Sequence, residues 1–149
     1  MSTQYTMWVH GSGVQVQDPS PLIGIRRTGS CCLIKMPSFH NAWFHFAVPT
    51  PSVISNAHVR IIQVWLEFDS TQGHYISSVR AFHGHYPVAI HKDLRLEGGR
   101  AREMFDVQEK VKVETGICVS VRVSSPDHAT YSHPIYLRFF GTGATFETI

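Results

Sequence analysis

The tight cluster His83-Gly84-His85, with His74 and His91 close by in the chain, is the first place where residue types and spacing could do chemistry. Ten of the 149 residues are histidine, well above ordinary usage. Imidazoles two apart on an extended strand share a face and can chelate Zn or Cu. A third ligand would come from His74 across a hairpin. A glycine between two histidines is also the mark of a tight turn, where both rings are simply exposed. The metal candidates are therefore His74, His83 and His85, and the expectation is no cofactor. The remaining catalytic use of a histidine is as a general base poised near neutral pH. His40 and His45, five apart around Trp43, point to opposite faces of a strand and make no local site. His10 sits beside Gly11, and His128 and His133 bracket a loop.

Nucleophiles are less promising. Gly11-Ser12-Gly13 lacks the G-x-S-x-G spacing and the following helix of a nucleophile elbow. Cys31, Cys32 and Cys118 are odd in number, and adjacent Cys31 and Cys32 point to opposite strand faces. They read as free thiols in a reducing cytoplasm. Activation of one of the pair would need a charge such as Arg26 or Arg27 across a hairpin. Among the carboxylates, Glu67 shares a strand face with Gln63 and Trp65. A carboxylate beside an aromatic platform serves sugar chemistry, although an exposed strand contains the same residues. Asp69 opens the stretch Asp69-Ser70-Thr71-Gln72-Gly73, a turn whose oxygens suit Ca²⁺ but which is far more often only a turn. Gly98-Gly99 and Gly141-Thr142-Gly143 are not phosphate cradles, because neither leads from a strand into a helix.

The elements that must position these groups are strands. Turn signals fall at short, even spacing, and the runs between them are β-branched and aromatic. Ile117, Val119, Val121 and Val123 alternate with Cys118, Ser120 and Arg122. Phe44, Phe46 and Val48 alternate with Trp43, His45 and Ala47. Ile62, Val64, Leu66 and Phe68 oppose Ile61, Gln63, Trp65 and Glu67, and Ile135, Leu137 and Phe139 oppose Tyr136, Arg138 and Phe140. Four strands with one apolar face each make the core of an antiparallel, jelly-roll-like β-sandwich of about eight strands, all-β and a single domain over 1–149. Thr28-Gly29-Ser30 is a hairpin connection, Gly141-Thr142-Gly143 a bend, and Arg100 to Glu109 the one stretch that admits a helical turn.

The second face of these strands mixes aromatics with polar groups instead of the usual Thr, Lys, Glu and Ser. Trp43, Trp65 and Tyr136 offer stacking surface. His45, Gln63, Glu67, Arg122 and Arg138 offer directional hydrogen bonds. A small ligand, above all a glycan, is the expected partner of this face or of a pocket at the loop end. The alternatives are a small histidine-dependent enzyme and a self-assembling domain whose aromatic face forms a homo-oligomer.

Composition narrows the field. Apolar residues are 43% and charged residues 16% of the chain, which argues against disorder. The net charge is +2 with no Lys/Arg run, so nucleic acid is not an expected partner. No apolar run is long enough for a membrane-spanning helix, and no secretory leader is evident, so a cytoplasmic location is expected.

Three segments carry a resemblance. They are Met7-Trp8-Val9-His10-Gly11 with Val14-Gln15-Val16, the run Trp43-Phe44-His45-Phe46-Ala47-Val48-Pro49-Thr50-Pro51, and the ending Leu137-Arg138-Phe139-Phe140-Gly141-Thr142-Gly143-Ala144-Thr145-Phe146. Together they resemble small microbial β-sandwich domains of uncharacterised function. The resemblance spans nearly the whole chain and implies one intact domain. It brings no activity, substrate or site residue.

Overall fold

A computed structural model of the chain describes residues 1–37, 39–70, 73–126 and 136–149. His128, His133 and Ile135, considered above, lie outside the described residues. The strands in chain order are β1 Gln4–His10, β2 Gln15–Val16, β3 Gly24–Arg27, β4 Cys32–Lys35, β5 Asn41–Val48 and β6 Val53–Ile54. They continue with β7 Ala57–Ser70, β8 Tyr75–His83, β9 Tyr86–His91, β10 Ala101–Asp106, β11 Ile117–Ser124 and β12 Leu137–Thr148. All the pairings between them are antiparallel. One sheet runs β10-β7-β12-β4-β3, with β1 also on β12 and β6 on β7; the other runs β2-β5-β11-β8-β9.

The alternation seen in the sequence is the alternation of burial. Phe44, Phe46, Val119, Val121 and Val123 face inward from the five-stranded sheet, and Val64, Leu66, Phe68, Leu137 and Phe139 from the seven-stranded one. Phe139 joins the layers: its ring centroid lies 5.3 Å from Phe44 and 5.3 Å from Phe46. Thr28-Gly29-Ser30 is the β3–β4 connection, as expected.

Four expectations change. Twelve strands are present among the described residues where about eight were expected. The surplus comes from two-residue edge pieces such as β2 and β6, and from stretches read as loop. Arg100 to Glu109 is one of these: β10 pairs with β7, burying Phe105 and turning Arg102 and Met104 outward. Ile61 is not an outward residue but fully buried, because the register against β12 jumps from Thr145↔Gln63 to Phe146↔Ile61. A bulge of this kind places two consecutive residues, here Ile61 and Ile62, toward the interior. Gly141-Thr142-Gly143 does not bend the chain away; β12 runs through it, with Phe140 as the extra residue of a second bulge.

Gly11 shows why the first strand breaks. The chain leaves the seven-stranded sheet at His10, makes one 3₁₀ turn over Gly11–Gly13 and joins the other sheet as β2. A Cβ on Gly11 would stand 1.9 Å from the Phe139 carbonyl oxygen, so no side chain fits there.

Candidate functional site

The eight residues of the predicted aromatic–polar face divide between two surfaces. Trp43, His45 and Arg122 lie on the outer side of the five-stranded sheet. Gln63, Trp65, Glu67 and Arg138 lie on the outer side of the seven-stranded sheet, with Tyr136 just before β12. The core separates the two groups. Period-two alternation distinguishes inside from outside but does not say which sheet a strand enters, so it merged both outer faces into one.

On the seven-stranded face the polar groups are already paired. Glu67 accepts from Arg100 Nε at 2.7 Å and from Arg102 at 2.9 Å. Burial works to raise the Glu67 carboxyl, but the hydrogen bonds and charges of Arg100 and Arg102 prevail and hold it below its ordinary value. Asp69 is no loop ligand; it sits in β7 and takes a two-pronged bond from Arg138, Nε to Oδ1 at 2.8 Å and the second nitrogen to Oδ2. Arg138 in turn lies 5.3 Å from the Tyr136 ring centroid. Trp65 Nε1 donates to Thr145 Oγ1 at 2.9 Å, and its ring packs 6.3 Å from that of Trp8. Trp8 is covered from above by the Arg102 guanidinium at 4.6 Å. This face is a self-satisfied layer of aromatics and ion pairs.

The five-stranded face is different. Its cross-strand rows read Gln15–His45–Ser120–Arg80 and Trp43–Arg122–Ser78. Over them lies a groove made of two neighbouring cavities that share Arg80 in their lining. The larger, about 630 Å³, is floored by Arg80, Arg122, Ser78 and Ser124 and walled by Tyr75 and the segment Lys92–Arg95. The smaller, about 240 Å³, is lined by Trp43, His45, Phe82 and Ser120 and shares Arg80 with the first. The Arg80 guanidinium stacks 4.9 Å above Trp43. The Nε atoms of Arg80 and Arg122 are buried and have no hydrogen-bond partner among the described residues. Buried donors without partners are costly, and they stand here on the floor of a cavity large enough for a ligand. Arg80, Ser78 and the Lys92–Arg95 wall were not singled out in the sequence. The only signal was Arg80 sharing a period-two face with Ser78 and Phe82.

His45 is locked in this groove. Ser120 Oγ lies 2.7 Å from its Nδ1, and the Gln17 carboxamide oxygen 2.8 Å from its Nε2. The Nε2–H therefore donates to Gln17, and Nδ1 accepts from the Ser120 hydroxyl. Burial draws the imidazole below its ordinary pKa and keeps it neutral. A serine–histidine pair invites a hydrolase reading, but that chemistry needs a carboxylate to stabilise the imidazolium, and Gln17 supplies a neutral amide. Ser120, 3% exposed in mid-strand, is also poorly placed to attack. The contacts fix the groove wall.

The metal candidates do not converge. His74 and His83 flank the two ends of β8, roughly 30 Å apart at 3.3 Å per residue. His74 is 1% exposed and its Nε2 accepts the Met36 N–H at 2.9 Å. His83 Nε2 accepts the N–H groups of Glu114 and Thr115, both at 3.0 Å, closing the β8–β9 turn against the segment between β10 and β11. His85 is exposed and stacks on Tyr86 at 4.2 Å. Gly84, with φ 59, makes a left-handed turn between His83 and His85, while His74 lies at the far end of β8. Among the described residues, no three His, Cys, Asp or Glu side chains gather as a metal site, and no helix is long and apolar enough to cross a membrane. The cysteines are free thiols; burial pushes Cys32 up to about 11 despite the nearby Arg27 charge, the reverse of activation.

The sandwich has counterparts among solved structures. One family 29 carbohydrate-binding module superposes with a TM-score of 0.53 at 8% identity, over 97% of this chain and 89% of that one. A variant of such a module, studied for ligand recognition, gives 0.52 at 8% identity, over 97% and 93% of the two chains. At this identity the likeness is one of fold. No curated protein matches the sequence. Residues 2–148 match DUF6623, a family of unknown function, and the chain belongs to that family.

Proposed function

We propose that this protein is a glycan-binding β-sandwich whose ligand lies along the outer face of the five-stranded sheet. The observation that carries the reading is a pair of cavities that share Arg80, one lined also by Trp43 and the other by Arg122. Sugar rings present a C–H face that packs on an aromatic plane and a rim of hydroxyls that accept from guanidinium donors. Trp43 and Arg80 supply the first contact, Arg122, Ser78 and Ser124 the second, and His45 holds the Trp43 end of the groove rigid. Carbohydrate-binding modules of similar fold support the ligand class.

A glycan array followed by calorimetry on any hit tests this. Trp43→Ala should abolish or strongly weaken binding with little change in melting temperature, while Trp65→Ala should leave affinity intact and lower stability. Loss of binding in Trp65→Ala alone would move the site to the other face. That face also favours a second reading, self-association. Trp8 and Met104, 36% and 43% exposed, flank Trp65 and would bury further in a dimer. A concentration-independent monomer in sedimentation would remove this second reading.

A further inference from the structure

We infer that the groove selects an anionic glycan, one whose sugar rings carry a carboxylate or sulfate. The inference rests on the glycan-binding reading and specifies its substrate class. Its basis is the juxtaposition of Arg80, Arg122 and Lys92 around one cavity with no ion-pair partner for any of them among the described residues.

Five of the other seven arginines are ion-paired, while Arg26 and Arg27 on β3 have no carboxylate partner among the described residues. Arg60 pairs with Glu147, Arg95 with Glu97, Arg100 and Arg102 with Glu67, and Arg138 with Asp69. The carboxylates engaged in these pairs are Glu67, Asp69, Glu97 and Glu147, none of which lines the cavity. The cavity is lined by Arg80, Lys92 and Arg122, by Arg95, which Glu97 pairs, and by one carboxylate, Asp93. Arg80 pairs in register with Ser120, and Arg122 stands two residues further along β11, so the two residues are diagonal neighbours on one face of adjacent strands. Like charges so placed repel, and a low-dielectric floor strengthens that repulsion. An oxyanion in the cavity that both arginines line would offset that repulsion, as guanidinium–carboxylate pairing favours, and a neutral hydroxyl would not. Trp43, stacked against Arg80, holds that guanidinium where the two cavities share it.

Calorimetry with the whole protein tests the class with four probes: polygalacturonate fragments, the same fragments fully methyl-esterified, a sulfated dextran oligomer and a neutral mannan oligomer. Binding to an acidic probe, with the ester and mannan at least about tenfold weaker, is the expected result. Which acidic probe binds more tightly identifies the carboxylate or the sulfate as the source of the charge. Arg122→Gln should lose about tenfold or more toward the acidic probe and distinctly less toward a neutral one. Lys92→Gln, an exposed change that leaves the fold untouched, should lose less and flatten the salt dependence. Equal binding of acidic and neutral sugars, unchanged in both variants, would overturn the anionic inference and leave the glycan reading standing. No binding to any sugar would overturn both. Binding of a single-stranded oligonucleotide as tight as the acidic glycan would also overturn the inference, since charge alone would then explain it.

Discussion

Trp8 occupies the space that a side chain at residue 143 would fill. Gly143 stands between Trp8 and Trp65 in the row β1–β12–β7, and a Cβ on it would lie 2.9 Å from Trp8 Cδ2 and 2.8 Å from the Met7 carbonyl oxygen. The missing side chain is what lets the two indoles lean together over the sheet. Gly143→Ala should therefore destabilise the protein by about 1–3 kcal/mol, the usual cost of overpacking. Adding Trp8→Ala should recover only part of that loss, because the Met7 backbone contact remains. Full tolerance of Gly143→Ala in a thermal melt would show that β1 is not held against β12 in this way.

Asp69 and Arg138 make an asymmetric pair, with side chains 12% and 37% exposed. Removing the arginine strands a carboxylate in a poorly hydrated place; removing the charge on the carboxylate leaves an arginine that can still reach water. Arg138→Met should thus cost about 1–3 kcal/mol and Asp69→Asn distinctly less. Urea titrations of both variants check the order. Equal losses would mean that the pair acts as an exposed surface bridge.

His74 ties acid stability to one buried ring. Burial is the main cause of its lowered pKa, opposed by a smaller effect of the Gly73 backbone, and its Nε2 accepts the Met36 N–H only while unprotonated. The folded value lies below the ordinary 6.5, so the unfolded chain binds the extra proton first as pH falls. Its contribution to stability is complete above pH about 6.5 and is lost as pH drops toward the folded value. His45 shifts the same way and adds to the slope. Glu67, held low by Arg100 and Arg102, extends the loss into more acid solution. His74→Gln, which keeps an acceptor for Met36, should flatten the fall in melting temperature between pH 7 and 5. An unaltered slope would assign that fall to other groups.

The fold was largely legible because alternation is a local signal. Val119, Val121, Phe44 and Phe46 declare their faces within a few residues, and the structure buries each of them completely. Ile61 was not legible, since its inward turn comes from a bulge set by β12, far away in sequence. The candidate site was half legible for the same reason. Trp43, His45 and Arg122 share a face that alternation can find, but their separation from Trp65 and Glu67 is a property of sheet membership. The mutual pairing of Glu67 with Arg100 and Arg102 was hidden too, because it depends on Arg100 to Glu109 forming an edge strand rather than a helical turn. Glu67 therefore looked available as a ligand-binding carboxylate when its neighbours had already engaged it.

Cys118 gives a chemical handle on the groove. It points outward from β11 between Ala47 and Phe82, with its Sγ 3.8 Å from Ser120 Oγ, and Phe82 and Ser120 both line the smaller part of the groove. Cys31 and Cys32 are buried, which denies a reagent access to both, and burial also pushes the Cys32 thiol up to about 11. A maleimide or aromatic disulfide reagent should accordingly modify one thiol in the native protein and three after denaturation. Cys118→Ser should remove the native reaction and leave the rest. Because the adduct would project beside Phe82, labelling should weaken glycan binding, and bound glycan should slow labelling. Rapid native reaction at Cys31 or Cys32 would show that the β3–β4 hairpin opens. Labelling of Cys118 with no effect on binding would place the ligand wholly in the larger part of the groove, over Arg122 rather than Trp43.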